Sequence, residues 1–325
     1  MTPGDRAARR RRAQEARAIR RRRAGALTVI AGASLIAGVA IGNASKPAAR
    51  GKDPHRHAAA KLTKPPELPR GGRTIFPRFR VVAYYGAPQD PQLGELGIGS
   101  PDHAARKLLR QARPYAKKTR PVLPAMELIA TVADHDPGED GLYRTRQTDA
   151  VVARYLRAAR RIKALLVLDI QPGHASFIDE ARHFGRWMRQ PDVGIALDPE
   201  WHTPGAVPGS QIGSTTAADV NAVARYVAGI VREGRLPEKL FVVHQFTPNM
   251  IEGKAQVIRP RGLAVTMNVD GFGDRPNKLA KYREFTTDGT SFDDGFKLFY
   301  HEDTGLMKPR SVLALRPPPD LIVYE

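Results

Sequence analysis

Residues 164–173 read ALLVLDIQPG and residues 193–202 read VGIALDPEWH. Both stretches are short, rich in apolar side chains and free of charge until their C-terminal ends, which is typical of strands buried on both faces of a parallel sheet. Residues 177–189, which lie between them, have the length and composition of a helix. Because parallel strands need such a crossover, the three segments predict a βαβ unit.

The same alternation of strand and helix continues in both directions along the chain. Strands are predicted at 80–85, 124–132, 165–170, 193–197, 240–245, 263–269, 296–300 and 321–324. Helices are predicted at 102–117, 148–163, 177–189, 216–232, 276–285 and 308–313. Eight strands with intervening helices in the 247 residues from 79 to 325 predict an α/β protein with the (β/α)8 TIM-barrel fold, which takes about 250 residues.

An open, doubly wound parallel sheet is the alternative fold. Such a sheet often carries a glycine-rich phosphate turn after its first strand. The nearest glycine-rich run, GELGIG at 94–99, has the wrong spacing for that turn. The sequence therefore favours the barrel.

An uncharged apolar segment precedes the barrel. Residues 24–42, AGALTVIAGASLIAGVAIG, number nineteen, close to the roughly 20 needed to span a bilayer. The basic tail 1–23 before them carries ten Arg, which under the positive-inside rule keeps the tail in the cytoplasm. Gly-Asn-Ala at 42–44 also fits a signal-peptidase site. The sequence thus predicts a transmembrane signal anchor or a cleaved signal core, with the barrel extracellular or secreted.

Residues 43–78 are rich in Pro, Lys, Ala and His and have no apolar periodicity, which predicts a flexible linker in the cell envelope. Of the formal net charge of +19, residues 1–25 carry +8, residues 43–78 carry +7 and residues 79–325 only +4. Because the basic charge lies outside the barrel, no nucleic-acid partner is expected. The absence of cysteine excludes disulfides, Cys-ligated metals and a Cys nucleophile. We expect a monomeric barrel.

Polar residues collect at the C-terminal ends of the predicted strands, where active sites of TIM barrels lie. Side chains alternate between the two faces of a strand, so the inward set of each strand can be followed to its end. On three strands that set turns polar only at its end: Asp169 and Gln171 on the third, Asp198 and Glu200 on the fourth, Asn268 and Asp270 on the sixth. We expect four carboxylates at one barrel mouth. The alternative is that Asp169 and Asp198 only cap the helices that follow them.

Two of these carboxylates suit glycoside hydrolysis. Asp198 and Glu200 are two residues apart on one strand face, about 6.6 Å in strand rise, and glycosidases hold two carboxyl groups about 5 to 9.5 Å apart. The spacing lets one carboxyl group protonate a leaving group while the other positions a neighbouring atom, so we predict Glu200, Asp198, Asp169 and Asp270 as catalytic carboxylates. The predicted substrate-binding residues are Tyr85, Gln171, Trp201, His244, Asn268 and Tyr300. A carbohydrate-binding or scaffold barrel without catalysis is the competing hypothesis.

No metal and no cofactor are predicted. A metallohydrolase would carry a motif such as His-x-His on the first strand, and the chain has Tyr84, Tyr85 and Gly86 there. Glu127 is unusual inside the second predicted strand. It either points into the barrel as a member of a charge network or indicates a different register.

The elements Asp198-Pro199-Glu200-Trp201 and Met267-Asn268-Val269-Asp270 resemble the Asp-x-Glu and Met-x-Tyr-Asp elements of chitinase-type glycoside hydrolases, whose fold is a (β/α)8 barrel. The resemblance implies that Glu200 is the general acid, that Asp198 orients a substrate acetamido group and that Asp270 is a cleft carboxylate. The tyrosine of the second element is Val269 here, a departure that favours the non-catalytic alternative. Residues 79–325 as a whole are similar to uncharacterised exported proteins of high-GC Gram-positive bacteria.

Overall fold

The computed structural model describes residues 64–325, in which eight parallel strands close into a barrel. The barrel strands are β1 (Arg80–Gly86), β2 (Val122–Ala133), β3 (Leu165–Ile170), β4 (Val193–Leu197), β5 (Lys239–Gln245), β6 (Leu263–Val269), β7 (Asp293–Leu298) and β8 (Leu321–Tyr324). Each strand pairs in parallel with the next, and β8 pairs with β1, with Val81 opposite Leu321. The predicted TIM-barrel fold is confirmed.

Helices follow most of the strands and cover the outside of the barrel. They are α1 (Pro101–Ala112), α2 (Asp149–Arg161), α3 (Phe177–His183), α4 (Gly185–Met188), α5 (Ala217–Glu233), α6 (Arg275–Thr286) and α7 (Pro309–Leu313). Several begin where the sequence offers a capping side chain: Thr216 accepts from the backbone N–H of Asp219, whose side chain in turn accepts from the backbone N–H of Thr216. Within residues 64–325, three further short strands lie outside the barrel wall, at Arg144–Arg146, Thr215–Thr216 and Ile251–Glu252.

The predicted helix 177–189 is broken into α3 and α4 at Phe184. Gly185 follows the break and lies close to Tyr226 of α5, because a Cβ added at Gly185 would be 2.3 Å from the Tyr226 hydroxyl oxygen. A glycine is also a poor helix former. The absence of a side chain at Gly185 therefore allows the start of α4 to lie against Tyr226 of α5.

The two faces of the strands form separate layers. The outward face packs against the helices, with Leu166, Leu168 and Ile170 of β3 in this layer. The inward face is apolar at the N-terminal end of the barrel, where Val81, Leu165 and related side chains fill the interior. Towards the C-terminal ends the inward side chains become polar and charged. The barrel interior is thus a packed apolar core at the N-terminal ends of the strands and a polar site at their C-terminal ends.

The N-terminal end of the barrel is closed by residues that the sequence assigns to the linker. Leu68 and Ile75 are buried in the interior apolar cluster. The Arg73 guanidinium donates to the backbone oxygen of Leu236 at 2.9 Å, and the Glu238 carboxylate accepts from the backbone N–H of Ile75 at 2.5 Å. The linker prediction is therefore corrected for residues 68–78, because their apolar side chains complete the barrel core.

Residues 43–63 of the predicted linker, the apolar segment 24–42 and the basic tail 1–23 lie outside the described residues. Within residues 64–325, no helix has both the length and the apolar character needed to cross a bilayer.

Candidate active site

A pocket opens at the C-terminal ends of the strands. Its polar lining consists of Tyr85, Gln92, Asp134, His135, Gln171, Asp198, Glu200, Asp270, Lys281, Lys297 and Glu325, and its aromatic lining includes Trp201, Phe246, Phe272 and Phe299. Charged groups and aromatic rings thus share one concave surface, which is the arrangement expected of a binding or active site.

Asp198 leaves β4 and enters the pocket wall. Its Oδ1 accepts from the backbone N–H of Glu200 at 3.3 Å and so caps a short 3₁₀ turn, Pro199–Trp201. The capping role that sequence allowed as an alternative is therefore present together with the pocket location. Asp198 is only 2% exposed, and this burial, helped by the nearby Asp169 carboxylate, raises the pKa of Asp198 well above its usual value. The environment favours the protonated acid.

The 3₁₀ turn presents Glu200 and Trp201 to the pocket, both half-buried. Gly213 supports the turn from below, since its backbone N–H donates to the Glu200 carbonyl at 2.7 Å. A Cβ at position 213 would lie 2.4 to 2.6 Å from the carbonyl oxygens of His202, Pro199 and Glu200, so only glycine fits. The loop that follows the turn thereby fixes the positions of Glu200 and Trp201.

Lys297 of β7 supplies a buried positive charge at the base of the pocket. Its Nζ lies 3.1 Å from Oδ2 of Asp270 and 2.8 Å from Oε2 of Glu325, and 3.7 Å from the centre of the Tyr85 ring. Burial acts to lower the pKa of Lys297, but the two carboxylates outweigh it and raise the pKa. Burial acts to raise the pKa of Asp270, and Lys297 with His244 reverses this and lowers it. Asp270 is therefore held ionised.

A second charged cluster lies directly beneath the pocket. The Nδ1 of His244 lies 2.8 Å from Oδ2 of Asp270, and its Nε2 lies 3.1 Å from Oε1 of Glu127 and 3.7 Å from Oδ1 of Asp169. Burial acts to lower the pKa of His244, but hydrogen bonds to Asp270 and Glu127 outweigh it and raise the pKa. Burial also raises the pKa of Asp169 to about 7. Glu127, Asp169 and His244 are placed so that all three could bind one metal ion.

Tyr85 connects the cluster to the pocket. Its hydroxyl donates to Oδ2 of Asp169 at 3.0 Å and accepts from Nε2 of Gln171 at 2.9 Å. Asn268, fully buried, lies with its Nδ2 3.3 Å from Nδ1 of His244. A short chain of hydrogen bonds therefore links Gln171 and Tyr85, which line the pocket, to the buried carboxylate of Asp169.

The structure separates the predicted site residues into three groups. Six line the pocket: Tyr85, Gln171, Asp198, Glu200, Trp201 and Asp270. Asp169, His244 and Asn268 are fully buried beneath it. Tyr300 is not at the pocket, because the inward positions of β7 are Gly295 and Lys297. Its ring stacks on Tyr324 at 5.3 Å between centroids and its hydroxyl donates to Gln111 at 2.9 Å, so its prediction as a substrate-binding residue is corrected.

Sequence reasoning missed the positive charge of the site. Lys297 shares its strand face with Phe299, which also lines the pocket. The alternation of faces on β7 could have identified both residues, but a lysine inside a barrel contradicts the usual exposure of lysine. Glu127, uncertain from sequence, does point into the barrel.

No family model matches the chain, and no curated protein matches it. Among solved structures, a sugar phosphate isomerase/epimerase from Parabacteroides distasonis is 9% identical, with a TM-score of 0.37, covering 76% of this chain and 86% of that one. EndoBT-3987 from Bacteroides thetaiotamicron, solved with Man9GlcNAc2Asn as substrate, is 11% identical, with a TM-score of 0.32, covering 68% and 60%. A 5-methylcytosine deaminase from Klebsiella pneumoniae is 12% identical, with a TM-score of 0.32, covering 70% and 53%. Likenesses of this size indicate nothing about substrate or reaction.

Proposed function

We propose that the pocket binds a glycan of the cell wall or of the extracellular space and hydrolyses a glycosidic bond. The observation that carries the proposal is the pairing of unlike carboxyl groups in one pocket. Burial raises the pKa of Asp198, whereas Lys297 and His244 lower that of Asp270 against the effect of burial. Glycoside hydrolysis needs a proton donor and a second carboxyl group that stays ionised; here Asp198 keeps a proton two residues from the proposed donor Glu200, and Asp270 is the ionised group.

The proposed roles follow from position. Glu200 is half-buried on the turn that faces the pocket, where it can reach the glycosidic oxygen as general acid/base. Asp198, capping the same turn, positions the reacting end of the sugar and holds a proton near Glu200. Asp270, ionised, stabilises positive charge that develops on the sugar ring. Trp201 offers a ring face for stacking on a sugar.

The second candidate is a carbohydrate-binding barrel without catalysis. It is favoured by the engagement of Asp270, whose Oδ2 lies within 3.1 Å of both His244 Nδ1 and Lys297 Nζ. A carboxylate held by two cations has less freedom to act on a substrate. In this case the aromatic residues of the pocket would supply the function alone.

The test is glycan turnover by the full chain purified in detergent. Peptidoglycan strands, chitin oligosaccharides and β-glucans are incubated with the wild type, and new reducing ends are measured. We expect hydrolysis of at least one glycan, and a loss of roughly 10²- to 10⁴-fold in rate for Glu200→Gln, because general acid catalysis contributes about that much.

The matched control is Glu284→Gln, which makes the same change on an exposed position of α6 and should leave the rate unchanged. Binding of a glycan with no hydrolysis by the wild type would support the non-catalytic candidate. Full activity of Glu200→Gln would remove Glu200 from the role of general acid.

A further inference from the structure

We infer that Glu127, Asp169 and His244 form a binding site for one divalent transition-metal ion inside the barrel, directly beneath the pocket. The three side chains come from β2, β3 and β5 and are at most 1% exposed. This inference does not depend on glycan hydrolysis, since it rests on a different set of side chains.

The spacing of the candidate ligand atoms fits a single ion. His244 Nε2 lies 3.1 Å from Glu127 Oε1 and 3.7 Å from Asp169 Oδ1, and one donor atom from each residue lies within 4.8 Å of the others. Two ligand atoms bound at about 2.0 to 2.2 Å with tetrahedral angles lie about 3.3 to 3.6 Å apart. Small shifts of the side chains would bring all three donors to bonding distance.

Two of the candidate ligands already form a hydrogen bond through the atom that would not bind the ion. His244 places its other ring nitrogen, Nδ1, 2.8 Å from Asp270, which is the carboxylate–histidine arrangement that orients metal-binding histidines. Asp169 accepts from the Tyr85 hydroxyl through Oδ2. The other donor atoms of these two residues, His244 Nε2 and Asp169 Oδ1, lie 3.7 Å apart.

A protonated His244 does not account for the surroundings of Asp169 Oδ1. The atom is buried and has no hydrogen-bond partner among the described residues. An imidazolium at His244 would satisfy Glu127 at 3.1 Å but would leave Asp169 Oδ1 at 3.7 Å, beyond hydrogen-bond range. Such an orphaned buried acceptor costs free energy. A metal ion would satisfy all three ligands at once.

The charge around the cluster also favours a cation. The polar end of the barrel interior is rich in carboxyl groups, among them Glu127, Asp169, Asp198, Glu200, Asp270 and Glu325. Within residues 64–325, the cations in direct contact with this group include His244 and Lys297; Lys281 lines the pocket and Lys278 is buried nearby. A divalent ion bound to neutral His244 adds more positive charge than the single proton it replaces, which offsets more of the acidic excess.

One imidazole nitrogen and two carboxylate oxygens define the class of ion. This donor set suits Zn²⁺, Mn²⁺ or Fe²⁺, whereas Ca²⁺ and Mg²⁺ are bound by oxygen ligands alone. The ion would connect β2, β3 and β5 beneath the pocket and, through His244, hold Asp270 in place.

The experiment measures bound metal and stability in the full chain. Protein stripped with EDTA is given ZnCl₂ or MnCl₂, passed through a desalting column and analysed for metal content, and its thermal unfolding is followed with and without the ion. We expect about one equivalent of ion per chain and a rise of roughly 5 °C in the unfolding temperature at saturating ion.

Glu127→Gln and Asp169→Asn each remove one ligand charge while keeping the side-chain shape, and each should lower the affinity for Zn²⁺ by at least tenfold. His301→Gln is the control for adventitious binding, because His301 is exposed and should leave the affinity unchanged. If one ligand variant does not fold, the other decides. Co²⁺ titrated into wild type should also give visible absorption that saturates at one equivalent.

Failure of the wild type to retain any ion would overturn the inference. Wild-type affinity in both ligand variants would also overturn it, because the ion would then be bound elsewhere. Either result leaves the turnover test of Glu200→Gln unaffected, so the two proposals fail separately.

Discussion

Lys297 and Asp270 form a buried ion pair at the base of the pocket, with 3.1 Å between Nζ and Oδ2. The same ammonium group reaches Glu325 at 2.8 Å. One lysine therefore balances two carboxylates that approach it from neighbouring parts of the barrel rim. Its removal would take a cationic neighbour from Asp270, leaving His244 at 2.8 Å, and would take an ammonium group from Glu325.

Lys297→Met keeps the length of the side chain and removes its charge. We expect a loss of about 3 to 5 kcal/mol in the free energy of unfolding, the cost of breaking a buried pair from one side, measured by urea denaturation. Arg182→Met is the control, since Arg182 pairs with Asp179 at 3.5 Å on the surface and should cost about 1 kcal/mol or less. Equal stability of both variants would show that the buried pair does not stabilise the barrel.

Lys239, which does not line the pocket, should make the free energy of unfolding depend on pH. Its Nζ donates to the backbone oxygens of Gln190 at 2.6 Å and Val193 at 2.8 Å, and burial lowers the pKa of Lys239 to about 7 from 10.5. Between these values the unfolded chain binds the proton and the folded chain does not. The free energy of unfolding should therefore rise with pH over this window, by on the order of 1 kcal/mol per pH unit.

Lys239→Met should abolish this rise. The measurement is urea denaturation of wild type and variant at pH 7, 8, 9 and 10, taking the difference between the two at each pH so that groups common to both cancel. Lys118→Met, an exposed lysine, serves as the control and should keep the wild-type slope. A wild-type slope in Lys239→Met would mean that Lys239 keeps its proton in the folded protein.

The N-terminal limit of the folded domain can be tested by truncation. Leu68 and Ile75 are buried in the barrel interior, and each buried aliphatic side chain contributes about 1.5 to 3 kcal/mol. A chain of residues 64–325 should melt cooperatively, whereas a chain of residues 79–325 should aggregate or melt at least 10 °C lower. Light scattering and calorimetry compare the two, and identical melting of both would show that residues 64–78 do not stabilise the barrel.

The sequence predicted the strands well because the barrel has one strong local signal. Runs such as LLVLDI at 165–170 are apolar on both faces and end in polar residues, and the observed limits of β3, β4, β6 and β8 coincide with the predicted ones. β7 begins three residues earlier than predicted, at Asp293. Two aspartates and a glycine open that strand, and such residues disfavour strands when read locally.

The candidate site was predicted only in part, because charge partners come from distant parts of the chain. Strand alternation correctly directed Asp198 and Asp270 inward, and it directed Asp169 to the same end of the barrel. It gave no reason to place Lys297 between Asp270 and Glu325, since that contact depends on how the barrel closes. The packing of Leu68 was also missed, because a single apolar residue in a proline-rich stretch has no periodicity that would indicate burial.

We propose that residues 24–42 hold the protein in the cell membrane with a monomeric barrel outside, or that the barrel is released after cleavage. Protease added to intact protoplasts should digest the barrel, while a cytoplasmic marker protein stays whole. Mass spectrometry of the N-terminus then separates the anchored form from the cleaved one. Full protection of the barrel in intact protoplasts would contradict an extracellular location.

Asp198 and Trp201 together distinguish an enzyme from a binding protein. In an enzyme, Asp198→Asn should lower the rate by roughly 10²-fold or more, since the neutral amide cannot give or take the proton that the raised pKa of Asp198 retains. Glycan affinity, measured by calorimetry, should change little because the amide keeps the shape of the carboxyl group.

In a binding protein, Trp201→Ala should weaken affinity more than Asp198→Asn does, because ring stacking would provide most of the contact with the sugar. Trp187→Ala is the matched control for the loss of an indole, since Trp187 packs on the outside of the barrel and donates to Asp149. If Asp198→Asn retains the full rate on a glycan that the wild type hydrolyses, Asp198 has no part in the chemistry and only caps the turn that carries Glu200.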